Sequence, residues 1–161
     1  MIAVETDVSP DWDARTDWPA LARSAVHAAV ANSRHASLSD SEVSVKFTSD
    51  DEVRALNATW RGKDQATNVL SFPMAAEAEL ADAQLLGDVV LAHGICAREA
   101  ADRNVSLETH AAHLVVHGTF HLLGYDHEKG EAQADEMEDA ERRALASIGI
   151  ADPYQVSEVQ S

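Results

Sequence analysis

The stretch that decides how this chain folds is His117-Gly118-Thr119-Phe120-His121-Leu122-Leu123-Gly124-Tyr125-Asp126-His127. On a helix of about 3.6 residues per turn, residues four apart share a face, so His117 and His121 stack on one side. Gly124 reads as a C-cap glycine that turns the chain back, carrying Tyr125-Asp126-His127 past the end of that face. His117, His121 and His127 then converge on one point. Three protein ligands plus a water is the catalytic arrangement of zinc rather than the structural one. A cleft formed by the His-bearing helix and the turn after it is therefore the expected metal site.

Other histidine sets remain open. The chain has 8 histidines, and His110 and His113 precede the motif on the same segment. His113 and His117 also share a helical face, but His127 follows the glycine turn and completes the better set. His110 reads as a packed or solvated side chain. His113 has the same reading, or serves as a proton-handling residue beside the ligands. Three imidazoles and a water would accept nickel or copper as well as zinc.

The H-x3-H-x2-G-x2-H spacing is that of the metzincin peptidases. Those enzymes carry a glutamate base directly after the first histidine, and here that position is Gly118. The ligand geometry is kept while the peptidase base is missing, which points to another hydrolysis. Cleavage of a phosphodiester builds negative charge that a metal and a guanidinium can meet together. Arg61, in the polar segment Trp60-Arg61-Gly62-Lys63-Asp64-Gln65-Ala66-Thr67-Asn68, is the candidate guanidinium; a surface ion pair is the competing reading. Lys63 is a weaker candidate. Asp64, Ser71 and Asp88 are possible supporting groups that nothing local singles out.

Around this core the pattern is that of an α+β domain with a small mixed sheet and its helices grouped late. Residues 1–8 suit a first strand, and Asp17-Trp18-Pro19 opens a helix that runs to about Ser33. Val43, Val45 and Phe47 alternate with polar residues as in a half-buried strand. Ser49 and Glu52 have capping-box spacing and open a helix through Leu56, followed by the loop that carries Arg61. Val69–Pro73 and Leu85–Ala92 read as strands. Helices are expected over about 93–102, 106–123 and 128–148, the last with a stripe at Met137, Ala140, Ala144, Leu145 and Ile148. Residues 1–161 form one domain, with about 151–161 as a flexible tail.

Composition narrows the class. Twelve basic residues stand against 28 acidic ones, a formal charge of −16. A broad phosphate-gripping surface is thereby excluded, leaving room only for a local basic patch. The acids of Glu128–Glu141 read as a solvated helix face. Cys96 is the one cysteine; it suits a reducing compartment and reads as a small buried apolar residue. No apolar run approaches a membrane span and no signal peptide is visible, so the cytoplasm is the expected location.

The motif resembles the signature of the YbeY family, bacterial zinc-dependent endoribonucleases of rRNA maturation. Two further stretches are similar in order: Leu56-Asn57 through Trp60-Arg61-Gly62-Lys63-Asp64 to Val69-Leu70-Ser71-Phe72-Pro73, and Leu86-Gly87-Asp88-Val89-Val90. The likeness spans roughly residues 43–148, departing at Ala66-Thr67-Asn68, where Pro-Thr-Asp is usual, and at Phe120, where Leu is. It implies a zincin-like fold, Zn2+ on the three histidines and assistance at phosphate from Arg61. It also implies hydrolysis of single-stranded RNA in maturation of the small-subunit rRNA 3′ end and in ribosome quality control. The ribosomal small subunit and its proteins would be the partners. Two other readings remain: a metallopeptidase-like hydrolase, and a non-catalytic ribosome-assembly factor with a structural zinc, which the acidic charge suits.

Overall fold

The computed structural model describes residues 1–126 and 128–153. In order, the chain forms β1 (Ala3–Val8), α1 (Trp18–Ala31), β2 (Glu42–Thr48), α2 (Asp50–Arg61), β3 (Val69–Pro73), a 3-10 helix (Glu77–Asp82), β4 (Leu85–Ala92), α3 (His93–Asp102), α4 (Leu107–Leu122) and α5 (Glu131–Ser147). The α+β class and the mixed sheet agree with the sequence. Strand order is β1-β2-β4-β3, with β1, β2 and β4 mutually parallel and β3 antiparallel along the β4 edge.

Local chemistry sets the helix ends. The Asp17 carboxylate accepts from Ala20 N at 3.0 Å, with Pro19 in the first turn of α1, and Ser49 Oγ accepts from Glu52 N at 3.2 Å at the start of α2. One boundary differs. Instead of ending near Leu56, α2 continues to Arg61 and stops at Gly62, whose left-handed φ of 69° closes the last turn with N–H donation to Ala58 O. Trp60 and Arg61 therefore ride on the final turn of a helix and not in a loop. Glycine caps the helix five residues later than the apolar pattern suggested, because the exposed last turn carries no apolar stripe.

The two faces of the sheet are unequally covered. Val43, Val45, Phe47, Val89 and Leu91 are buried in a core shared with α1, α4 and α5, anchored by Trp12 and Trp18. Trp12 packs edge-on against Trp18 at 4.9 Å and Phe47 at 5.0 Å, tying the motif-poor N-terminus into the core. On the other face α2 covers only the β3–β4 side, where Val53 packs with Leu70, Val90 and Ala92.

The central helix is α4. Apolar nearly all round, it touches α1, α3, α5, β3 and β4. It lies against the sheet at Gly118, where a Cβ would stand 2.8 Å from Val89 Cγ1 and 2.9 Å from Ser71 Oγ. Ser71 Oγ donates to the Gly118 carbonyl at 3.0 Å. Position 118 thus faces the sheet with no room for a side chain, and a glutamate base cannot stand there. Gly118→Ala is expected to cost about 1–3 kcal/mol through overpacking, read as a lower urea midpoint of the metal-free protein.

Candidate metal and catalytic cleft

His117 and His121 project from the last turns of α4 and meet, with their Nε2 atoms 3.1 Å apart and their rings nearly perpendicular at 83°. Each ring is aimed by a partner at its other nitrogen. His117 Nδ1 hydrogen-bonds the Glu141 carboxylate, which reaches in from α5 and is itself fully buried. His121 Nδ1 hydrogen-bonds the Tyr125 carbonyl at 3.0 Å. A carbonyl and an ionised carboxylate only accept, so each Nδ1 is placed to donate, and a neutral ring in that tautomer presents its Nε2 lone pair to the same point.

Two lone pairs facing each other suit a shared electrophile. A tetrahedral zinc with nitrogen bonds of about 2.0–2.1 Å holds its ligand nitrogens about 3.3 Å apart, close to the observed spacing. The donor chemistry therefore fits a metal, and the Nδ1 partners are those that usually orient metal-binding imidazoles. Among the described residues no group of three or more donors converges; His127, the expected third ligand, lies outside the described residues.

The turn after α4 is clamped from α1's far end. Arg34 N donates to Tyr125 Oη at 2.9 Å, and the Arg34 guanidinium lies over the Tyr125 ring at 3.9 Å. That guanidinium also donates to Glu77 Oε2 from Nε at 3.3 Å and from Nη2 at 3.0 Å, and bonds Glu136 on α5. The His35 hydrogen bond, with help from Arg34, holds the Glu77 carboxyl below the usual carboxylate range. Gly124, at φ 93°, lets the turn close over this carboxylate, since a Cβ would stand 2.8 Å from Glu77 Cδ. Arg34 thereby fixes the carbonyl that orients His121.

The histidines open onto a cleft of about 550 Å3 whose lining includes Arg61, Thr67, Ser71 and Lys129. Arg61 is brought to it by the last turn of α2. Among the described residues Arg61 makes no ion pair; its helix neighbour Arg54 takes Asp64 instead, with Nε 2.8 Å from Oδ1. Ser71 lines the cleft, whereas Asp88 does not.

His113 sits one turn before His117 on α4, with ring centroids 6.4 Å apart, and is not part of the cleft lining. Burial pushes its pKa down to about 4. His110 packs inward, with Nε2 2.8 Å from Glu99 Oε1, and Asn68 Nδ2 donates to the same oxygen at 3.0 Å. Asn68 thus serves a neutral-amide role that an aspartate could not, since two carboxylates would face each other there. Cys96 is fully buried and its thiol is pushed up to about 12 by burial, as suits an inert core residue.

Glu141, Tyr125, Arg34 and Glu77 were not visible as site residues in the sequence. The acidic run containing Glu141 is not uniformly a solvated face. Residues 137, 140, 141, 144 and 145 make one buried stripe, and that periodicity was the available signal for a carboxylate turned inward.

Two outcomes are expected. Replacing the buried acceptor by Glu141→Gln should weaken zinc affinity about 10- to 100-fold, measured by competition with a chromophoric chelator, with helix content unchanged. The second concerns acid. His113 is held neutral in the folded state, so its stabilising contribution is whole above the ordinary value of 6.5 and is lost as pH falls towards 4. The metal-free protein should lose up to about 1.4 kcal/mol per pH unit across that window from this group. Urea midpoints should show that slope, and His113→Gln should flatten it.

A family model described as Endoribonuclease YbeY matches residues 8–149. The chain is 52% identical over 162 residues to an endoribonuclease YbeY of Novosphingobium aromaticivorans, covering 96% of this chain and 97% of that one. It is 51% identical over 170 residues to an endoribonuclease YbeY of Rhizorhabdus wittichii, covering 98% and 99%. Among solved structures, the solution structure of TM1509 from Thermotoga maritima matches with a TM-score of 0.57 and 24% identity over 92% of this chain and 91% of that one, which speaks to the fold. The chain belongs to the endoribonuclease YbeY family.

Proposed function

We propose that this protein is a zinc-dependent endoribonuclease that hydrolyses single-stranded RNA, with zinc on His117, His121 and His127 and with Arg61 at the phosphate. The observation that carries the reading is the pair of oriented imidazoles sharing one cleft with a guanidinium. Family membership supplies the reaction class, endoribonucleolytic cleavage. Maturation of the small-subunit rRNA 3′ end and ribosome quality control, in the cytoplasm and with the small subunit as partner, belong to the same proposal. Among the described residues no helix is long and apolar enough to cross a membrane.

The chain's own groups divide the work. Bound zinc supplies Lewis acidity and a lowered water pKa. Glu141 and the Tyr125 carbonyl keep Nε2 of both histidines aimed into the cleft. Arg61 is set to hold non-bridging phosphate oxygens in a bidentate grip and to offset the charge that grows on them as the bond breaks. Lys129, on the same lining, adds a second cation. The peptidase alternative loses support because position 118 is packed against Val89 and Ser71.

Purified wild type should hold one zinc per chain and cut single-stranded RNA, and His121→Ala should lose both. Arg61→Ala should keep its zinc and lose about 100-fold or more in cleavage rate. Zinc binding without cleavage of any RNA would instead favour the assembly-factor role, and absence of zinc would overturn the metal site.

A further inference from the structure

Arg61 borders two depressions at once. With Ser71 and Pro73 it lines the histidine cleft, and the same three residues line a second groove of about 770 Å3 on the part of the sheet that α2 leaves uncovered. One row of the groove's floor runs in register across all four strands: Glu5, Ser44, Asp88 and Phe72. Leu56 and Trp60 from α2 and Met74 beyond β3 also line it.

Trp60 is out of keeping with the rest of the molecule. Its two fellow indoles are buried, Trp12 at 2% and Trp18 at 1% exposure, whereas Trp60 is 71% exposed, one residue before the arginine of the cleft. Met74, 55% exposed, borders the same groove. A large aromatic face on the open wall of a groove suits a flat ligand. The charges say how an RNA strand would lie. Glu5, Asp7 and Asp88 line the groove, and its Lys46 is engaged by Glu52 at 3.1 Å. A phosphate chain laid along that floor would be repelled, so the phosphate belongs at Arg61 on the rim. The base attached to it is then free to turn into the groove, where an indole offers stacking.

We propose that Trp60 is the stacking platform for one unpaired nucleobase adjoining the phosphate held at Arg61. The inference rests on the ribonuclease reading and adds a subsite to it. Stacking is indifferent to base identity, since every base has a π face. It does require the base to be unpaired and splayed from its neighbours. Selectivity for single strands then follows from the geometry of one helix turn: Trp60 takes the base while Arg61, next in sequence, takes its phosphate.

The buried state of Trp12 and Trp18 makes Trp60 its own probe. Binding of a single-stranded oligoribonucleotide to the zinc-loaded protein should quench tryptophan fluorescence in wild type and leave Trp60→Phe nearly unaffected. Trp60→Ala should weaken oligonucleotide binding, and raise KM, about tenfold, and Trp60→Phe should recover most of the loss. The deciding measurement uses substrates with one abasic nucleotide walked along the positions flanking the cut. At one position the abasic change should weaken wild type as much as Trp60→Ala does and add nothing further in that variant.

Equal abasic penalties in wild type and Trp60→Ala at every position would overturn the proposal. Unaltered RNA affinity in Trp60→Ala would do the same and leave the groove to a polypeptide. Either result alongside normal wild-type cleavage would sink this subsite alone. A zinc-loaded wild type that neither binds nor cuts RNA would sink the ribonuclease reading and this subsite together.

Discussion

Everything at the cleft depends on how closely α4 approaches the sheet. At Gly118 the helix backbone presses against Val89 and Ser71 with no side chain between. Gly87 repeats the arrangement from the strand side: at φ 148°, a Cβ there would stand 2.4 Å from the Phe72 carbonyl and 2.7 Å from Leu122 Cδ2. Two glycines, one on the helix and one on the strand, let the layers close and seat the helix, and with it the histidines of its last turns. A methyl group at either point would lift the helix and move the imidazoles relative to Arg61, which is carried by a different element on the other side of β3. Core packing and the geometry of the cleft are therefore one constraint, because interiors this dense pass displacement on rather than absorbing it.

That constraint explains what could be read from the sequence. Residues His117 to Gly124 announced helix, spacing and turn because each acts locally: i, i+4 stacking and a positive-φ glycine are properties of neighbouring residues. The strands at 43–47 and 85–92 were equally plain from alternation and β-branching. The end of α2 was not, since its last turn is exposed and only Gly62 marks it. Moving that boundary moved Arg61 from a loop onto a rigid helix end, which changes how firmly its guanidinium is aimed. The orienting groups were hidden for a different reason. Glu141 lies 24 residues from His117, and Arg34 lies 91 residues from Tyr125. Only the fold brings those pairs together.

The charge of the molecule also takes a local form. A formal −16 would seem to forbid a polyanionic ligand, yet several acids in the surrounding elements are engaged by neighbouring cations. Glu77 and Glu136 are taken up by Arg34, Asp64 by Arg54 and Glu52 by Lys46. The cleft itself is lined by Arg61 and Lys129 together with Asp126 and Glu128. In such a molecule weak overall attraction for nucleic acid is compatible with a strong, short-range grip at one phosphate. Binding at that point should depend little on the rest of the surface.

The reach of α5 into the cleft has a consequence for how the protein is made. The carboxylate that orients His117 comes from residue 141, after every other element of the core has left the ribosome. Until α5 docks, His117 lacks its acceptor and Arg34 lacks its Glu136 contact. A growing chain can therefore hold the complete histidine motif without holding a competent cleft. The contacts that orient the cleft are thus completed only by the last helix of the chain.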